Sequence, residues 1–125
     1  MNLDDELRTL HNDLPGFVST DVVSIDSGLS IGGWSADRSF DASLVSATSA
    51  EIVKANRRSL ELLGYEAEST EDILITTREL YLLIRMLDES YYHVLALSRT
   101  GNLGLARAVM RRMQPKLQSF VEELG

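Results

Sequence analysis

The chain contains no cysteine. Disulfide frameworks, thiolate metal sites and cysteine nucleophiles are therefore excluded together. Lysine and arginine are in the minority, 12 against 19 aspartates and glutamates, so the formal net charge is -7. Binding to nucleic acid without sequence preference depends on basic side chains displacing counterions from phosphates, and this balance disfavours it. Anionic membrane surfaces are disfavoured on the same grounds. No apolar run approaches the ~20 residues needed to span a bilayer, and the first residues carry acids where a secretory leader would carry bases. A cytoplasmic location without membrane insertion is the expectation.

Signatures of catalysis are also missing. No serine stands in Gly-x-Ser-x-Gly, no Walker spacing ends in Gly-Lys-Ser/Thr, and no Gly-x-Gly-x-x-Gly follows a strand. The only histidines, His11 and His93, have no metal-ligand spacing around them, and without cysteine a tight zinc site would need carboxylates that no motif arranges. Gly101-Asn102-Leu103-Gly104 opens a helix, where free amides attract anions, but plain capping by Asn102 accounts for it. No catalytic residue, metal ligand or cofactor is assigned, and no enzyme activity is expected.

What is present is ordinary globular material: 125 residues, 44% hydrophobic and 25% charged. That is one domain spanning 1–125, with enough apolar residues for a real core. Acidic residues load the first third, from Asp4 to Asp41, while Arg107, Arg111, Arg112 and Lys116 lighten the last. Partners would be oriented by that asymmetry.

Leu3, Leu7, Leu10 and Leu14 recur at helical spacing, with Asp4, Asp5 and Glu6 in the first turn where they complement the helix dipole. Pro15 and Gly16 stop this first helix. Phe17–Ile25 and Leu29–Trp34 read as a hairpin joined by Asp26, Ser27 and Gly28. From Asp41 to Leu63 the period becomes helical, closing at Gly64. Three further strands follow at Ile73–Thr77, Leu80–Leu87 and Tyr91–Ser98. A last helix begins after Asn102, with Leu103, Ala106, Val109, Met110, Met113, Leu117, Phe120, Val121 and Leu124 on one arc, and Pro115 on its polar side. The order is αββαβββα. It predicts an α/β (α+β) sandwich on a five-stranded, mainly antiparallel sheet.

The middle helix is too apolar for one sheet face. Leu44, Val45, Thr48, Ser49, Ile52, Val53, Ala55, Leu60, Leu62 and Leu63 span roughly 180°, wider than the ~100° stripe that packing on a single surface requires. A second neighbour is expected. Small residues, among them Ala42, Thr48, Ser49, Ala55 and Ser59, would let a partner approach closely. Lys54, Arg57 and Arg58 lie on the polar side and, with Trp34, form the candidate partner surface; a solvated helix face is the simpler reading of the three cations. Tyr81 is assigned to the core.

Three local sequences, in this order and spacing, resemble the roadblock family of dynein light chains and bacterial GTPase regulators. They are Leu14-Pro15-Gly16-Phe17, Asp26-Ser27-Gly28-Leu29 and Asn102-Leu103-Gly104-Leu105-Ala106-Arg107. The resemblance covers nearly the whole chain. It implies a profilin-like sheet with the middle helix on one face and the terminal helices on the other. It further implies a homodimer in which the third strands pair edge to edge and the middle helices pack together. The interface would then hold Leu44, Thr48, Ile52, Ala55, Ser59 and Leu62 of the helix, with Ile73, Leu74, Ile75 and Thr76 of the strand. Similar members bind small Ras-like GTPases, and one dimer accelerates GTP hydrolysis without supplying a catalytic side chain. The expected function is accordingly regulation or scaffolding of such a GTPase. A nucleotide-independent adaptor that assembles a larger complex is the alternative, and a small-ligand sensing domain ranks last.

Overall fold

A computed structural model of the chain describes residues 2–124. The first helix, α1 (Leu3–Asp13), is capped by Asn2, whose side chain accepts from the Asp5 amide at 2.9 Å. It ends at Asp13, where Leu14 turns extended ahead of Pro15, and Gly16 then takes a φ of 84°, a left-handed conformation suited to glycine. Strands β1 (Phe17–Ser24) and β2 (Ser30–Ser35) form the expected hairpin. Asp41 caps α2 (Ala42–Leu62), accepting from the Leu44 amide at 3.0 Å. A 3-10 turn at Ala67–Ser69 leads into β3 (Asp72–Thr76), β4 (Leu80–Met86) and β5 (Tyr91–Ser98). Asn102 caps α3 (Leu103–Glu122), accepting from the Leu105 amide at 2.9 Å.

The five strands make one sheet in the order β2-β1-β5-β4-β3, with every neighbouring pair antiparallel. Because side chains alternate across a strand, the sheet has two apolar faces. Val23, Ile25, Ile84, Tyr92 and Val94 turn to one face and bury Ala50 and Val53 of α2. Val22, Leu83, Leu95 and Leu97 turn to the other and bury Leu7 and Leu10 of α1 with Met110 and Leu117 of α3. The expected layering is therefore present, middle helix on one face and terminal helices on the other. No helix among the described residues is long and apolar enough to cross a membrane.

Three local expectations need correction. Leu124 does not continue the apolar arc of α3, since that helix stops at Glu122 and Leu124 is exposed. Ser49, assigned to the side a partner would approach, is fully buried on the sheet beneath α2, together with Ser46. Tyr81 packs against the α1/α3-side core but only at its margin and is half-buried, with the Arg99 guanidinium 4.8 Å from its ring centre.

A polar layer, not visible in the pattern of the sequence, runs beneath the first half of α2. The Tyr92 hydroxyl donates to the Ser46 carbonyl at 2.7 Å and pins the helix to β5. The Ser46 and Ser49 hydroxyls are buried without a hydrogen-bond partner among the described residues. Beside them Asp21 is buried, held by the Ser30 hydroxyl, which donates to its Oδ1 at 2.7 Å. Desolvation dominates over that hydrogen bond, and with the Asp4 charge nearby it raises the Asp21 pKa to about 6. Gly33 is what makes room for this carboxylate, since a Cβ there would stand 2.1 Å from Asp21 Oδ1. Gly33→Ala is expected to cost about 1–3 kcal/mol, the range for over-packing, measured as a shift of the denaturant midpoint; unchanged stability would contradict the packing described.

Candidate interaction surface

Helix α2 is covered on one side only. Going round it at 100° per residue, Ser46, Ser49, Ala50 and Val53 face the sheet and are buried. Leu44, Thr48, Ile52, Ala55, Ser59 and Leu62 follow at three- and four-residue steps and form a separate stripe. Of these only Ile52 is half-buried; the others are exposed, Leu44 at 60% and Leu62 at 89%. Leu63, next to the stripe, is 71% exposed. Burying a leucine side chain is worth roughly 1.5–3 kcal/mol, so this stripe is a large unrealised stabilisation.

The stripe turns toward one particular edge of the sheet. Lys54 reaches the β1–β2 hairpin, its Nζ donating to the Asp26 carbonyl at 3.1 Å, and Ala47 packs against Gly28 of the same hairpin. On the opposite flank, Asn56 donates to the Thr70 hydroxyl at 2.7 Å, just ahead of β3. The stripe borders the Asn56 flank. Its Ile52 and Ser59 margin therefore lies on the β3 side, while Leu44 and Leu62 point away from the sheet.

The two sheet edges are not equivalent. Edge strand β2 is shielded: Asp4 Oδ1 accepts from the Gly33 amide at 2.8 Å, and the ladder is irregular at Val22/Val23. Such devices stop a sheet from adding strands. At β3 nothing comparable occurs among the described residues. The Glu71 carbonyl accepts from the Met86 amide and the Thr77 amide donates to the Leu80 carbonyl, so odd-numbered residues bond inward to β4. By alternation, the amides and carbonyls of Asp72, Leu74 and Thr76 point outward. Ile73, Leu74 and Ile75 are half-buried and Thr76 is exposed. An open, apolar edge thus runs beside an open, apolar helix stripe.

No family model matches the sequence, and no curated protein matches it. Solved structures do. Myxococcus xanthus MglB superposes with a TM-score of 0.85 at 16% identity, over 98% of this chain and 89% of that one. A Roadblock/LC7 domain from Streptomyces avermitilis does so with a TM-score of 0.85 at 14% identity, over 98% and 99%. The chain has the roadblock fold. A further neighbour, described as MglB with tetrameric arrangement, gives a TM-score of 0.84 at 18% identity over 95% of this chain and 87% of its own. The helix candidates Leu44, Thr48, Ile52, Ala55, Ser59 and Leu62 form one stripe on α2, whereas alternation divides the strand candidates: Ile73 packs on the α2 face with Ile75 beside it, and Leu74 packs on the opposite face with Thr76.

The fold does not bring together the second set. Trp34 sits on the α1 side of the sheet, stacked with His11 at 4.8 Å and Phe17 at 5.8 Å between ring centres, with Arg8 over it at 5.6 Å. Lys54, Arg57 and Arg58 belong to α2 on the opposite face. Trp34 and the three cations are not one surface, because strand alternation sends them to different sides of the sheet. Lys54 is engaged with Asp26 and, at 3.5 Å, with Glu51. Arg58 is exposed, and Arg57 lines a cleft beside the start of β3.

Among the described residues no group of three His, Asp or Glu side chains is placed to hold a metal ion. His93 is fully buried between β1 and β4. The Thr20 hydroxyl donates to the Val94 carbonyl at 2.9 Å, so at the 2.7 Å contact between Thr20 Oγ1 and His93 Nε2 the histidine is the donor. Burial first, then the Arg85 charge, lower its pKa to about 3. It is a neutral core residue.

Proposed function

We propose that the protein is a homodimer that regulates or scaffolds a small Ras-like GTPase in the cytoplasm, without contributing a catalytic side chain. The observation that carries this reading is the apolar stripe of α2 lying beside the one unshielded edge of a roadblock sheet. A second copy related by a two-fold axis satisfies both at once: its β3 completes the open ladder and its α2 covers the stripe. The paired helices and joined sheet form a continuous platform for a protein partner. Partner binding is the proposed activity, and the resemblance to GTPase-regulating roadblock proteins supplies the partner class.

Light scattering on the purified chain is expected to return twice the chain mass of 13.9 kDa. The protein, immobilised, is expected to retain a Ras-like GTPase of the same organism when loaded with a non-hydrolysable GTP analogue, about 10-fold or more better than with GDP, a coupling of about 1.4 kcal/mol or more between nucleotide and partner. Equal retention of both forms would replace the regulator by a nucleotide-independent adaptor. Retention of neither, across the organism's Ras-like GTPases, would overturn the partner class.

A further inference from the structure

Pairing of two β3 strands dictates what meets at the ends of the pair. The outward-facing residues are Asp72, Leu74 and Thr76, and using all of them places Leu74 opposite its own copy, with Asp72 opposite the partner copy's Thr76. In that register Thr77 lies across from Glu71 of the other copy, and Arg78 across from Thr70. Arg78 is exposed at the tip of the β3–β4 turn, which the Thr77 hydroxyl orders by accepting from the Leu80 amide at 3.0 Å. It forms no ion pair among the described residues.

The position it would reach is built for a cation. A cleft of about 430 Å³ opens beside Thr70 and Glu71, between α2, the 3-10 turn and the β4–β5 turn. Its apolar part comes from Val53, Met86 and Leu87, a surface suited to the methylene stem of an arginine. Glu68, Glu71 and Glu89 line it without an ion pair, and Asp88 adds a fourth carboxylate. Two cations also line it. Arg85 is already engaged by Asp72 at 3.8 Å and by Gln114, which leaves Arg57 as the one cation there without a carboxylate partner among the described residues. Acids outnumber bases, and the missing charge is positive.

We propose that Arg78 of each copy enters the acid-lined cleft of the other, so that two identical clasps close the ends of the strand pair. The proposal rests on the dimer reading and deepens it. It accounts for why an acidic chain associates with itself, since each copy presents its turn arginine to the partner's cluster of glutamates. The clasp also fixes register: a slip by two residues carries Arg78 past the cleft and loses both contacts.

The test is a charge exchange. R78E alone sets glutamate against carboxylates, and a Glu68→Arg, Glu71→Arg variant sets arginine against arginine; each homodimer is expected to weaken about 10-fold or more. Mixed together, the two variants form a heterodimer in which both clasps join opposite charges, and its affinity is expected to return to within a few-fold of the unaltered protein. If R78E dimerises like the unaltered chain and the mixture shows no preference, the clasp is wrong. A Leu74→Cys variant separates that failure from failure of the pairing. Hydrogen-bonded neighbours on antiparallel strands stand about 5.5 Å apart at Cα, within disulfide range, and the chain has no other cysteine. Oxidative cross-linking of Leu74→Cys with an inert R78E overturns the clasp alone, whereas a monomer that fails to cross-link overturns both.

Discussion

A Thr76→Pro variant is expected to be monomeric at concentrations where the unaltered chain is a dimer, while keeping its fold. Thr76 is exposed and its amide points away from β4, so proline there removes no hydrogen bond from the existing ladder. It does remove a donor from the outer edge and places a ring where an incoming strand must lie, the reason prolines blunt natural sheet edges. Two lost hydrogen bonds at about 1 kcal/mol each, one at each Thr76 of a symmetric pair, together with the steric obstruction, correspond to about a 100-fold or larger rise in the dimer dissociation constant. Far-UV circular dichroism should be unchanged. Leu62→Glu probes the helix half of the same surface, and because Leu62 is 89% exposed in the single chain, it too is expected to weaken association without harming the fold. Dimers of unaltered affinity in both variants would show that this face is not the interface.

The second large effect concerns acid. Asp21 and His93 are buried and shifted in directions that oppose each other as pH falls. The carboxyl of Asp21 is raised from 3.8 to about 6, so its burial costs nothing below the unfolded pKa and costs most once pH exceeds the folded one. A shift of about two units is worth roughly 3 kcal/mol, and Asp21 is only 7% exposed, so solvent screens little of it. Asp21→Asn is therefore expected to stabilise the protein at pH 7 by up to roughly 3 kcal/mol, since an asparagine still accepts from Ser30 without carrying charge. His93 is lowered from 6.5 to about 3. Its neutral form is the native one, and stability is lost as pH falls below the unfolded pKa.

Between pH 6 and pH 4 the two terms run against each other, relief at Asp21 offsetting strain at His93. Chemical denaturation is expected to show a nearly level profile over that window for the unaltered chain. Asp21→Asn should lose about 1.4 kcal/mol per pH unit there. A level profile for Asp21→Asn would show that His93 is not held neutral; a steep one for both proteins would show that Asp21 is not raised.

The helices and strands were legible because their chemistry is local. Asn2, Asp41 and Asn102 cap helices as their residue types dictate, and Leu7, Leu10, Met110 and Leu117 fill one face at helical spacing. Half of the candidate surface was legible as well. Leu44, Ile52 and Leu62 exceed what one sheet face can cover, and the structure leaves that stripe bare, although it reassigns Ser49 from the open side to the buried one. Asp21 was not legible, since an aspartate in a strand reads as a solvent-facing residue. The nearest signal was Gly32-Gly33 in a strand, a pair that marks close approach of other atoms.

Periodicity, capping and turn chemistry depend on neighbours within a few residues, and so the sequence alone determined the number, order and type of elements and the surplus of apolar surface on the middle helix. Which strands became edges, which edge stayed open, and where Arg57, Glu68 and Glu89 gathered depended on contacts between residues distant along the chain. Those were decided only when the sheet assembled in the order β2-β1-β5-β4-β3. The Leu74 amide, unpaired among the described residues, is a property of that strand order, since β3 has a neighbour on one side only.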